Sequence, residues 1–303
     1  MSAAPVPGSL DRRVAVVTGG GRGIGRAHCL LLAARGARVV VCDVGAGLDG
    51  SGHDRSVADA VVSEIRAEGG DAVADHSDIS TFDGAARPVA RAVQTYGRID
   101  IVVNNAGIAA GGGDAGGGDA GGGDARGGDA GAPIETITED ELDEVFAVNF
   151  TGTIGTTRAA WPYLRAQGWG RIVNTVSEVA LDTRIPGGGG VGYGAAKAAV
   201  WSATLSLAQQ GAQHGITVNA VSPGASTRMN EEMFRYTPPP AGLDLDPVHV
   251  ARVVAWLVSD DAADVTGRIV HVTGGQHREY TTRRHRDTEL VQRIDRAVAD
   301  ASR

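Results

Sequence analysis

Lysine is almost missing from this chain of 303 residues. Lys197 is the only one, and the other 27 basic side chains are arginine. Cysteine is scarce as well: Cys29 and Cys42 are too few and wrongly spaced for a disulfide framework or a zinc site. Free thiols in a reducing cytoplasm are the expectation. There is no excess of positive charge. With 28 basic against 36 acidic side chains, the formal charge of −8 gives no reason to expect a nucleic acid or an anionic membrane as partner. No uncharged run reaches the length of a membrane span, and Met1–Ser9 lacks a basic, apolar signal segment. What remains, 42% hydrophobic and 21% charged, reads as a cytoplasmic globular protein long enough to bury a sizeable core.

The one lysine stands four residues after a tyrosine, in Tyr193-Gly194-Ala195-Ala196-Lys197. On a helix, side chains at i and i+4 share a face, so this phenol and this ammonium can reach one site. Arginine would not serve there, because a guanidinium is wide and permanently charged, whereas a compact ammonium responds to burial.

The start of the chain has the pattern of a nucleotide-binding βαβ unit. Arg13–Val17 is an apolar run that ends in Thr18-Gly19-Gly20-Gly21-Arg22-Gly23-Ile24-Gly25. A helical stretch with Ala27, Leu30, Leu31 and Ala34 on its apolar side follows, closing at Gly36. Arg38–Asp43 then reads as a second buried strand. In isolation the glycine turn is also what an ordinary strand-to-helix turn looks like. Between two strands, it lets the backbone approach a pyrophosphate held at the helix N-terminus. Asp43, at the end of the second strand, can bond ribose hydroxyls and repel a 2′-phosphate, which favours NAD over NADP. Arg22 pulls the other way, since a guanidinium in the turn could meet that phosphate.

Further units repeat the pattern. Residues 56–68 and 83–96 read as helices, 72–74 as a strand leading to Asp78-Ile79, and Ile99–Val103 as a strand running into Asn104-Asn105-Ala106-Gly107. Thr138-Glu139-Asp140-Glu141 opens a long helix with an N-cap and acids at its positive end. Asn149 inside that helix is unusual, because its amide competes for backbone bonds. Arg171–Val176 is a fifth strand ending at Ser177, residues 216–221 a sixth ending at Ser222-Pro223-Gly224, and residues 268–272 a seventh. Residues 225–245 read as irregular cover for a substrate, followed by a helix at about 247–258. Strands alternating with helices imply a parallel sheet covered on both faces.

Two segments stand apart. Between Ala109 and Ala132, GGGDA repeats place Asp114, Asp119, Asp124 and Asp129 five residues apart, with no apolar residue larger than alanine. Such a stretch cannot offset its ordering entropy, and disorder is expected. Calcium-binding Gly-Asp coils need a large apolar residue in each repeat, which argues against that reading. Passive repeat expansion and a lid over the cleft both stay open. The C-terminal tail, 276–303, carries Arg283-Arg284-His285-Arg286 and suits docking on a neighbouring subunit or fraying.

These residues resemble the short-chain dehydrogenases/reductases (SDR). The likeness covers about residues 11–275, interrupted by the GGGDA insert. It rests on Thr18-Gly19-x-x-x-Gly23-x-Gly25, Asn104-Asn105-Ala106-Gly107, Asn149, Ser177, Tyr193-x-x-x-Lys197 and Pro223-Gly224, all in the family's order. Asp43-Val44-Gly45 with Leu48-Asp49-Gly50-Ser51-Gly52 is similar to the branch that includes the dehydrogenase domain of peroxisomal multifunctional enzymes, which act on hydroxyacyl thioesters and steroids.

The resemblance implies a single Rossmann-type domain, a doubly wound seven-stranded parallel sheet, binding NAD(H) to interconvert alcohols and ketones. Tyr193 would be the general acid/base, its phenol made more acidic by Lys197 and by the oxidised cofactor's ring. Ser177 would donate to the substrate oxygen, and Asn149 would hold a water in a proton relay from Lys197. Cofactor contacts would come from Thr18, Gly19, Arg22, Gly23, Ile24 and Gly25 in the turn, and from Asp43 at the ribose. Asp78 and Ile79 would lie near the adenine, with Asn104, Ala106 and Gly107 along the adenosine side. Tyr193, Lys197, Pro223, Gly224 and Thr227 would surround the nicotinamide half. No metal is implied, and a homo-oligomer, a tetramer or dimer, would form through helices at about 138–165 and 193–213.

The chain departs from the family pattern in three places. The Ser177–Tyr193 gap is longer, with Gly187–Gly190 inside it. Thr227 comes one place early. Glu178 sets a carboxylate beside Ser177, which would favour a polar substrate or raise a local pKa. Two other classes fit parts of the sequence. A silent NAD-binding sensor or interaction module would show a degraded Asn-Ser-Tyr-Lys set, and an S-adenosylmethionine methyltransferase would have no use for Tyr193 and Lys197.

Overall fold

The computed structural model describes residues 9–47, 51–109, 134–180, 190–228, 234, 238–281 and 292. Apart from Ala109, the GGGDA insert lies outside the described residues, as do Gly187–Gly189, most of 229–237 and the Arg283–Arg286 cluster.

The chain runs β1 (Val14–Thr18), α1 (Gly23–Ala34), β2 (Arg38–Cys42), α2 (Ser56–Ala67), β3 (Asp71–Asp75), α3 (Phe82–Tyr96) and β4 (Ile101–Asn104). After the insert come α4 (Glu139–Phe146), α5 (Gly152–Gln167), β5 (Gly170–Thr175), α6 (Gly190–Gly211), β6 (Ile216–Gly224), α7 (Val248–Leu257), β7 (Ile269–Thr273) and β8 (Gln276–Tyr280). They form one sheet in the order β3-β2-β1-β4-β5-β6-β7-β8. The seven expected strands are parallel, and β8 pairs antiparallel with β7.

The strands are apolar on both sides because both faces are covered. Every residue of β1 and β4 is buried. Along β1, Ala15 and Val17 pack with Leu32 of α1, Ile65 of α2 and Val254 of α7. Val14 and Val16 point the other way, to Val89 of α3 and Leu164 of α5. Each such Leu or Ile contributes about 1.5–3 kcal/mol through burial. Cys29 and Cys42 are free and buried, and burial pushes both thiols well above their ordinary pKa, which makes them unreactive.

The long helix at Thr138 begins with a full capping box: Thr138 Oγ1 accepts from the Glu141 amide (3.2 Å), and Glu141 accepts from the Thr138 amide (2.9 Å). It is not uniform. Residues 147–151 form a π turn between α4 and α5, with Asn149 fully buried in it. The Asn149 carboxamide donates to the Val145 carbonyl (2.9 Å), the acceptor that its own backbone amide would take in an α-helix.

β8 corrects the reading of residues 276–280 as tail. Gly274 (φ +52°) and Gly275 (φ +76°) form a two-residue hairpin turn with both residues in the left-handed region, and Thr273 pairs with Gln276 across it. The strand was hidden because Gln276–Glu279 are all polar and exposed, as suits a sheet edge, with no alternation to read.

Candidate active site

The strand order reverses between β1 and β4, and ligands of such sheets bind in the crevice beyond the carboxyl ends of the strands there. Two loops meet at that point. Thr18 Oγ1 accepts from the amides of Asn105 and Ala106 (3.1 Å each), and the Asn105 carboxamide donates back to the carbonyls of Thr18 (3.1 Å) and Gly19 (3.2 Å). The glycine turn is thereby tied to the loop after β4. Gly19 takes φ +62°, and a Cβ on Gly25 would overlap the Gly19 carbonyl, so the turn folds onto the first turn of α1 only with glycine. That first turn, with Ile24 in it, carries no acid and no side-chain cap, which leaves a positive helix end suited to a phosphate.

Asp43 closes the same turn. Its carboxylate accepts from the Gly21 amide (2.8 Å) and the Gly45 amide (2.8 Å), placing a negative charge where β2 ends. The Arg22 guanidinium donates to the Ala46 carbonyl (2.9 Å). Arg228, not singled out from sequence, stands near both: burial and then the Arg22 charge lower its pKa, with Asp43 opposing. Thr227 reaches the other side, its methyl 3.4 Å from where a Cβ on Gly23 would lie. Gly224 and Pro223 end β6 against Thr273 and Val272.

Some expected cofactor residues have their side chains engaged elsewhere. The Asn104 amide donates to Thr157 Oγ1 (3.0 Å) and Asn174 Oδ1 (2.9 Å), which turns it into the β4–β5–α5 layer. Asp78 is exposed and accepts from the amide and hydroxyl of Ser80 (2.9 Å each). Ile79 is buried against Cys42, Ala85 and Ala106.

At the other end of the crevice, Lys197, Tyr193 and Asn149 converge. The Lys197 ammonium lies 5.5 Å from the Tyr193 ring centroid and donates to the Thr175 carbonyl (3.2 Å). It is buried, and desolvation lowers its pKa from 10.5 to about 8. A Cβ on Gly107 would stand 2.5 Å from Asn149 Oδ1 and 3.1 Å from Lys197 Nζ, so glycine is required where the β4 loop crosses this pair. The Asn149 amide donates to the Ile108 carbonyl (2.8 Å) as well as to Val145, while its Oδ1 has no hydrogen-bond partner among the described residues. A buried acceptor beside an ammonium fits the proton relay expected of Asn149. The carbonyls of Ile108 and Thr175 have no sequence signal, since any residue supplies one.

Ser177 follows β5 and opens a short turn in which the Ala180 amide donates to its carbonyl (3.1 Å). The next side chain, Glu178, turns toward the last two strands. Tyr280 donates its hydroxyl to Glu178 Oε1, and His271 Nδ1 lies 3.2 Å from the same oxygen. Of the two effects expected of Glu178, the one on a local pKa falls on His271. Burial lowers the His271 pKa, with the Glu178 charge opposing and Arg278 adding to it. Among the described residues, no group of three or more His, Cys, Asp or Glu side chains gathers to hold a metal, and no helix is long and apolar enough to cross a membrane.

A doubly wound sheet with a glycine turn at its switch point, and a buried Lys–Asn pair beside a half-buried tyrosine, defines the class of nucleotide-dependent oxidoreductases. The chain belongs to the short-chain dehydrogenase family, whose model matches residues 13–236. It is 38% identical over 270 residues to a short-chain type dehydrogenase/reductase of Mycobacterium tuberculosis, covering 89% of this chain and 84% of that one. It is 36% identical over 266 residues to the peroxisomal hydratase-dehydrogenase-epimerase of Neurospora crassa, covering 88% of this chain. The chain spans only about a quarter (26%) of that multifunctional relative, whose branch is the one anticipated from residues 43–52. A short-chain dehydrogenase from Mycobacterium avium superposes with a TM-score of 0.73 at 37% identity, covering 96% of this chain and 94% of that one. These relatives are short-chain dehydrogenases, a family that uses a nicotinamide cofactor.

Proposed function

We propose that the protein is an NAD(H)-dependent oxidoreductase that interconverts a secondary alcohol and a ketone, with Tyr193 as general acid/base. The observation that carries this reading is the buried Lys197 ammonium, 5.5 Å from the Tyr193 ring centroid and meeting Asn149 Oδ1 at Gly107. A bound nicotinamide nucleotide supplies the hydride acceptor or donor. Tyr193 gives its phenol proton to the carbonyl oxygen in reduction and takes it from the hydroxyl in oxidation. Lys197, while charged, favours the phenolate. Ser177 donates to the oxygen on which charge develops. Asn149 Oδ1 orients a water that returns the proton by way of Lys197.

Asp43 supports NAD over NADP, because its carboxylate at the end of β2 would repel a 2′-phosphate, and Arg22 is already bonded to Ala46. The resemblance to the branch of peroxisomal multifunctional enzymes makes hydroxyacyl thioesters and steroids the first substrates to try. The reading includes a cytoplasmic location, which the two unreactive thiols suit, and a homo-oligomer formed through α4–α5 and α6.

Nicotinamide absorbance followed across a panel of secondary alcohols and ketones, with NAD and with NADP, tests it. Turnover is expected with NAD(H), falling about 10²–10⁴-fold in Tyr193→Phe. Equal turnover by the two proteins would sink the acid/base assignment, and a higher kcat/KM with NADP would overturn the cofactor preference.

A further inference from the structure

Glu178 is a carboxylate placed directly after the candidate Ser177, and two side chains from the C-terminal hairpin meet it. Tyr280, the last residue of β8, donates to Glu178 Oε1. His271 of β7 sets Nδ1 3.2 Å from the same oxygen, while its Nε2 lies 2.6 Å from Thr273 Oγ1. The Tyr280 ring packs edge-on against Trp201 (5.6 Å between centroids), one turn beyond Lys197 on α6, and belongs to a small apolar cluster with Val176 and Ile269. Of the five β8 residues, only Tyr280 is drawn inward.

The backbone to which Glu178 belongs lies between the two reacting side chains. Val176 is held to β6 through the Val221 carbonyl (2.8 Å), and the turn from Ser177 closes at the Ala180 amide. At Val179 the turn backs onto α6, its carbonyl 3.4 Å from where a Cβ on Gly194 would stand, one residue after Tyr193. The Ser177 turn thus meets the Tyr193 helix through the residue that follows Glu178.

We propose that Glu178 is a positioning residue. Anchored by the Tyr280 hydroxyl, with His271 beside it, it fixes the Ser177–Ala180 turn against the helix that carries Tyr193, so that strand β8 completes the site. This rests on the assignment of Ser177 and Tyr193 as the pair that meets the reacting oxygen. Such an anchor matters to catalysis because a misplacement of about 1 Å in a catalytic donor can cost about 10²-fold in rate.

The test uses the full chain and four variants. Tyr280→Phe keeps the ring against Trp201 and removes only the hydroxyl; it should lower kcat about 10- to 100-fold and leave KM for NAD within about twofold. Glu178→Ala should match it, and Glu178→Ala/Tyr280→Phe should be no worse than Glu178→Ala alone, as expected of one coupled unit. Glu178→Gln retains an acceptor for the phenol and should recover to within about threefold of the unmodified protein. Hydrogen exchange of the peptide over 176–180 gives a readout independent of substrate, and it should quicken in Tyr280→Phe. Wild-type kcat with unchanged exchange in Tyr280→Phe, or additive losses in the double variant, would overturn the proposal. Full turnover by Tyr193→Phe would instead undo the acid/base reading, while the exchange result still decides whether Glu178 is anchored.

Discussion

Lys197 is an ammonium held in the interior with one backbone carbonyl as its recorded acceptor, and its burial lowers its pKa to about 8. The unfolded chain, with a lysine pKa near 10.5, binds more protons than the folded one between pH 8 and 10.5. Stability therefore rises with pH across that window and is depressed below it. The difference amounts to about 3 kcal/mol of penalty at neutral pH. Lys197→Met should remove that penalty and lose the bond to Thr175, for a net gain of about 1–2 kcal/mol in urea unfolding at pH 7. The same variant should lose at least about 10²-fold in turnover if Lys197 serves Tyr193. A less stable Lys197→Met would show that the buried charge is better compensated than its surroundings indicate.

At the scale of the element, the π turn at 147–151 is what brings Asn149 to Gly107. One amide serves two carbonyls, on Val145 and on Ile108, so it shapes the helix and ties it to the β4 loop. Asn149→Ala leaves both carbonyls without that donor and should cost about 1–3 kcal/mol, measured by urea unfolding. Asn149→Asp should cost more, because an acceptor would then face two acceptors. Sequence reading placed a long helix here and singled out Asn149 as out of place, but the π turn follows from a competition for the Val145 carbonyl that only the folded geometry decides. The β7–β8 hairpin shows the reverse case. Its first strand was legible, and the strand after the Gly274-Gly275 turn was not, because an edge strand of polar residues has no periodicity.

Across the whole molecule, pH dependence gathers at buried groups that lose their charge on folding. His28 in α1 is fully buried with neither ring nitrogen bonded among the described residues, and burial lowers its pKa from 6.5 to about 3. The folded protein keeps it neutral while the unfolded chain protonates it, so this contribution is complete above pH 6.5 and is lost as pH falls toward 3. Over that interval it amounts to about 4–5 kcal/mol. His28→Leu should flatten the stability curve between pH 6.5 and 4 relative to the parent protein, as followed by thermal or urea unfolding. An unchanged slope would show that water or local opening reaches the ring.

The alternation of apolar runs, glycine turns and amphipathic helices was enough to determine a doubly wound parallel sheet, because hydrophobic period and turn chemistry are local properties. The rarity of lysine was enough to mark Tyr193 and Lys197. Tertiary structure alone decided which partners the marked side chains take. The Asn104 carboxamide bonds to Thr157 and Asn174, 53 and 70 residues further along the chain. Glu178, expected to favour a polar substrate or raise a local pKa, bonds to Tyr280, 102 residues further along the chain, and its charge works to raise the His271 pKa against burial. A polar side chain takes the partner its surroundings bring within about 3 Å, and for pairs this far apart in sequence those surroundings exist only once the sheet has closed.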